Sequence, residues 1–186
     1  MGILKEGLGL NSRQEISSCW HNKLQGALFL SAFLTWGIGD AVTSLWMIEH
    51  RGITGEANLI AQYMITNYGA SSFIAMKIWF TIIVLFFVPF LMQQRSEQPV
   101  YWMINGYYLS FFVAGVLAMI LNMQAASNEA LLLQPEQVIF LFLILILILT
   151  SIGEEVDKRT NPRIGNYFDC FLYDITKILT FINNRN

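Results

Sequence analysis

A carboxylate in the middle of an apolar run has to be accounted for. Asp40 stands in "FLTWGIGDAVTSLWM", and Thr43 follows three positions later, on the same face of a helix. Lys77 stands in a second apolar run, "GASSFIAMKIWFTIIVLFFVPFLM". Between the two runs, "RGITGEANLI" carries Glu56 and Asn58, and a third run ends near Asn122. An acid or base alone at the centre of a bilayer costs at least about 2.5–3.5 kcal/mol on insertion scales, so such groups are paired or put to use. A carboxylate facing an ammonium can form an ion pair, relay a proton, or hold an ion or polar ligand. Asp40, Thr43, Glu56, Asn58, Lys77 and Asn122 are therefore the candidate binding set. No residue is singled out as catalytic. The competing reading is structural: the pair fixes helix register, and Glu56 stabilises a helix N-terminus through the helix dipole.

These residues must be positioned by helices. The chain has 186 residues, 55% of them hydrophobic and 13% charged, against about 25% charged in a soluble domain. A helix crosses the roughly 30 Å hydrocarbon core with about 20 apolar residues. Four stretches qualify or come close: Leu24–Ile48, Gly69–Met92, Val100–Met123 and the shorter Val138–Gly153. The fourth can begin earlier, with Pro135 in its first turn, and Pro89 is placed to kink the second. The fold class is all-α: a polytopic membrane protein of four transmembrane helices plus a C-terminal amphipathic interfacial helix. The division is residues 1–23 as a cytoplasmic leader, 24–153 as the transmembrane domain and 154–186 as a cytoplasmic tail. In that tail Phe168, Phe171, Leu172, Ile175, Ile178, Leu179 and Ile182 recur at helical spacing, which fits a helix lying on the membrane surface. The segment "ANLIAQYMITNY" reads as a short interfacial helix or as an early extension of the second span.

Basic residues set the direction. Lys23, Arg95, Lys158 and Arg159 flank spans on one side, and Arg51 stands by itself on the other. This places both termini in the cytoplasm of a multi-pass protein of the cell membrane. Asp40 then lies about 12 Å below the outer end of span one, and Lys77 about 12 Å below the outer end of span two. Opposite charges at matching depth on antiparallel neighbours predict an Asp40–Lys77 ion pair, direct or through water. Packing follows small residues. Gly106, Ser110, Ala114, Ala118 and Asn122 recur every four residues in span three, and Gly37, Ala41 and Ser44 share a face of span one. Span four is almost pure Leu, Ile and Phe, which predicts broad lipid exposure and a packed centre formed by spans one to three.

The stretch "GDAVTSLWMIEHRGITGEANLI…YGASSFIAMKI" resembles an uncharacterised family of small prokaryotic four-helix membrane proteins, known as a domain of unknown function. Its pattern is an Asp with a Thr three positions on, then Glu-x-Asn-Pro, a Gly and an intramembrane Lys. Here these are Asp40 and Thr43, Glu56 and Asn58, Gly69 and Lys77, with Leu59 in place of the Pro. The resemblance implies a membrane address and a shared polar set, and carries no activity.

Three function classes follow. The leading expectation is a structural, accessory or self-associating membrane subunit. The alternative is an ion, proton or small-solute transport component, and a further alternative is a lipid-modifying intramembrane enzyme. Against the enzyme, there is no His-Glu-x-x-His or Gly-x-Ser-x-Gly motif. Two histidines and the distant Cys19 and Cys170 predict no metal site, and no cofactor is expected. The expected partners are the bilayer and either further copies or a larger membrane complex. A net charge of -2 gives no reason to expect nucleic acid.

Overall fold

The computed structural model describes residues 23–56, 58–96 and 99–160. The amphipathic tail helix, the leader and both cysteines lie outside these residues. Among the described residues there are helices and no strand, and four helices are long and apolar enough to cross a membrane: α1 (Lys23–Arg51), α2 (Leu59–Arg95), α3 (Tyr101–Ala126) and α4 (Pro135–Thr160). A turn of 3₁₀ helix, Ile53–Gly55, joins α1 to α2. The expected all-α class is what the structure has, and α4 does begin at Pro135.

Two of the helices are locally overwide. In α1 the stretch Phe33–Gly39 is π-helical, and the Asp40 N–H donates to the Thr35 carbonyl five residues back. In α2 the stretch Ile83–Phe87 is also π-helical. Here the cause is Pro89, which is fully buried. It has no N–H for the Leu85 carbonyl, and its ring needs room in the preceding turn. Pro89 thus widens the helix, where the sequence led us to expect a kink.

The kink in α2 falls at Gly69, whose φ of 83° and ψ of 170° lie outside the helical region. Only glycine reaches that conformation at low cost. Both readings of "ANLIAQYMITNY" are therefore right in part: residues 59–68 form a helical arm, and Gly69 joins it to the span at an angle. Nothing lies within 4 Å of where a Gly69 side chain would start, so replacing it tests the backbone alone. Gly69→Ala should cost about 1–3 kcal/mol and loosen the 59–68 arm, as read by amide hydrogen exchange. Unchanged protection of the arm would contradict this reading of the kink.

The helices pack in the spatial order α2–α1–α3–α4. The buried core is formed by spans one to three, as expected, and α4 packs against it through α3. Helices α3 and α4 share a close interface. Two glycines make it: a Cβ on Gly106 would stand 2.3 Å from the Leu149 carbonyl oxygen, and one on Gly153 would stand 2.3 Å from the Trp102 carbonyl oxygen. Each backbone rests on the other. Helix α4 still leaves Ile139, Phe140, Leu143, Leu147 and Ile148 exposed, so the expected broad apolar face is present on its other side. Helix α1 meets α3 at Gly115, which lies against the backbone of Thr35 and Trp36. It meets α2 where Gly37 faces Thr81. The aromatic core is formed by Ile104, Tyr107, Tyr108 and Phe111 of α3 with Ala32 and Leu85. The Tyr107 hydroxyl donates to the Val84 carbonyl inside the π-helical stretch of α2, at 3.0 Å.

The same end of the α3–α4 pair is closed by a carboxylate. Asp157 is 2% exposed and accepts from the backbone N–H groups of Trp102 (2.9 Å) and Met103 (3.0 Å). Helix α3 begins without a side-chain cap of its own. Its first-turn donors are satisfied by an acid from α4, at the end where the helix dipole favours negative charge.

Candidate functional site

The site is built by the π-helical stretch of α1, which ends at Asp40. An extra residue in a turn rotates everything that follows it, and such turns recur at functional sites. Past the wide turn, Asp40, Thr43 and Ser44 face inward together. Ala41 is fully buried against Ala61 and Phe73 of α2, and Ser44 is 4% exposed. The Thr43 hydroxyl donates back to the Gly39 carbonyl at 2.9 Å, which fixes its rotamer.

The Asp40 carboxylate is answered on both oxygens. Oδ2 accepts from the Lys77 ammonium in a direct ion pair. Oδ1 accepts from the Asn122 amide at 2.9 Å. The same amide nitrogen lies 3.1 Å from the Thr43 hydroxyl and 3.1 Å from the Ser44 hydroxyl. One carboxylate on α1 thus ties α2 and α3 to it. The pair is partly shielded: the side chains of Lys77 and Asp40 are 21% and 14% exposed. The Lys77 ammonium also lies 5.6 Å from the Phe73 ring centre, within reach of its π face. One turn on, the Thr81 hydroxyl donates to the Lys77 carbonyl at 2.7 Å.

Glu56 and Asn58 have a different local job. The Asn58 side chain accepts from the N–H groups of Ile60 (3.0 Å) and Ala61 (3.4 Å) and caps α2. Glu56 Oε1 accepts from the Asn58 N–H at 2.8 Å, and the Glu56 carbonyl accepts from Gln62. Both stabilise the entry to α2. They also stand on the wall of the cavity that contains the ion pair. Five of the six candidate residues line this cavity, and Thr43 stands behind it, bonded to Asn122.

The cavity holds about 690 Å³, within the size range of small-ligand sites. Asp40, Ser44, Lys77 and Asn122 are at its polar end, and Arg51, Glu56 and Glu136 carry the other charges on its lining. Phe73, Met76, Leu121 and Ile139 supply apolar wall. It lies between α2 and α4, which share no extended interface. Below the ion pair the bundle is filled: Thr81 and Leu85 are fully buried, and the Trp36 ring packs on Phe111 at 4.7 Å. The result is a blind groove with a charged floor. Among the described residues, no group of three or more His, Cys, Asp or Glu side chains converges in a way that could hold a metal ion.

Sequence reasoning missed three parts of this site. Ser44 was read as a packing residue and is a partner of Asn122. Phe73, which carries no signal in the sequence, lies against the Lys77 ammonium. Arg51, used only to set the direction of the spans, and Glu136 line the same groove. A helical projection could have placed Ser44, four residues after Asp40, beside the acid. Nothing in the sequence marks the approach of α4 to α2.

Comparison with characterised proteins and with solved structures gives no significant match. A family model does match, over residues 31–128, a stretch that contains all six residues of the candidate set. The chain belongs to the family described as Domain of unknown function (DUF5658).

Proposed function

We propose that this chain is a small integral membrane protein that binds a small polar or amphipathic molecule in the groove above Asp40 and Lys77. The observation that carries the reading is a cavity of about 690 Å³ whose floor is a hydrogen-bonded charge pair. A pair that served packing alone would be enclosed; this one borders open space. The filled interior beneath it supports binding in a single chain over conduction through it. The distribution of basic residues supports cytoplasmic termini in a cell membrane, with the groove at the outer rim. The exposed apolar faces of α2 and α4 support the bilayer as surrounding partner.

A second reading has its own support. Both oxygens of Asp40 are already engaged, as in a structural staple for an accessory or self-associating subunit. The two readings differ in whether the groove is occupied. Native mass spectrometry of the full chain, released from membranes in mild detergent, should show a retained small molecule. Val138→Trp, which fills the groove wall, should remove it, whereas Ile148→Trp on the exposed face of α4 should not. Equal adducts, or none, in both variants would contradict the binding reading.

A further inference from the structure

The floor of the groove holds spare hydrogen-bond donors. Lys77 carries three N–H donors, and Asp40 is its acceptor among the described residues. Each Asp40 oxygen already accepts one bond, from Lys77 on one side and from Asn122 on the other. The Arg51 guanidinium, also on the lining, has no ion-pair partner among the described residues. The spare capacity at depth is therefore that of a cation seeking an oxygen. A cationic ligand would stand beside the Lys77 ammonium and leave its spare donors unpaired, a costly arrangement away from water.

The walls narrow the choice further. Phe73, Met76, Leu121 and Ile139 line the groove beside the polar floor, which matches an apolar chain. Ile139 lines the groove and is itself exposed on α4, so the apolar wall continues to the outer surface of the bundle. Glu56 and Glu136 stand on the lining near the loops and repel a large, multiply charged head. A small head with one charge passes them and reaches Lys77.

We propose that the groove takes an amphiphile with one oxyanion on a single apolar chain, its oxyanion accepting hydrogen bonds from the Lys77 ammonium. This rests on the binding reading given above and names the class of ligand for it. The ligand enters sideways between α2 and α4 and keeps its chain against the apolar wall.

The test titrates the full chain in detergent with hexadecanoate, hexadecanol and hexadecylamine, read by native mass spectrometry. Hexadecanoate should bind at least tenfold more tightly than the other two. Lys77→Met should erase that preference, and Val138→Trp should abolish binding of all three. If Lys77→Met fails to fold, the ligand series on the unaltered chain decides by itself. Equal binding of hexadecanol, or preference for hexadecylamine, with loss on Val138→Trp, would overturn the oxyanion assignment and leave the groove reading standing. Failure of every ligand to form an adduct sensitive to Val138→Trp would overturn both.

Discussion

Lys77→Met should destabilise the protein by about 2–4 kcal/mol. Removing one partner of a buried ion pair typically costs about 3–5 kcal/mol, because the other charge is left uncompensated. The lower figure applies here because the two side chains retain some exposure, 21% and 14%. In Lys77→Met the Asp40 carboxylate keeps Asn122 and loses its counter-charge. The effect should be shared with its partner. In the double variant Asp40→Asn/Lys77→Met no uncompensated charge remains, so the combined loss should fall short of the sum of the two single losses by about 1–3 kcal/mol. Reversible unfolding in bicelles measures all four corners of the cycle. Strict additivity would mean that the two residues do not support one another.

Gly153→Leu should be comparably severe for a steric reason. The Cβ of any residue at this position meets the Trp102 carbonyl oxygen at 2.3 Å, its carbonyl carbon at 2.5 Å and the Met103 Cα at 2.6 Å. All three are backbone atoms and cannot swing aside. Overpacking of a tight contact costs about 1–3 kcal/mol and at times more. Here α4 must also move off α3, taking Asp157 away from the N–H groups of Trp102 and Met103. Gly153→Ala should already lower the melting temperature, and Gly153→Leu should lower it further. Ser151→Leu, two residues away and exposed, should have little effect. Equal tolerance of leucine at 151 and 153 would show that the glycine contact carries no weight.

Much of this arrangement could be read from residue types. The four helices stand where the apolar runs stand, because span length is set by hydrocarbon thickness. The match of Asp40 with Lys77 followed from depth alone: two antiparallel helices, each entered to the same distance, bring those residues level. Asn122 was placed with them by the four-residue stripe in α3. What could not be read has physical causes. The π-helical turn of α1 lies where Gly115 of α3 approaches Thr35 and Trp36, a contact between distant segments, whereas that of α2 follows from Pro89 in the same helix. The cap on α3 comes from Asp157, 55 positions later in sequence, in a stretch that reads as an ordinary charged helix end. Helix α4 has the exposed apolar face that its residues predict, and Gly153 together with Gly106 of α3 seats its other side on α3. In lipid, close backbone approach drives packing as much as residue polarity does. The groove escaped notice for the same reason: it is defined by α2 and α4 standing apart, and separation leaves no pattern in a sequence.

The site depends on a carboxylate of one helix meeting the ammonium of the next. Solid-state NMR measures that contact directly. In the full chain reconstituted in bilayers, with ¹³C in aspartate side chains and ¹⁵N on lysine Nζ, a dipolar coupling should connect Asp40 Cγ to Lys77 Nζ at a separation of roughly 4 Å or less, the range of a charge-assisted hydrogen bond. The coupling should vanish in Asp40→Asn labelled in the same way. Absence of coupling in the unaltered chain, with both groups resolved in the spectrum, would contradict the ion pair and with it the site.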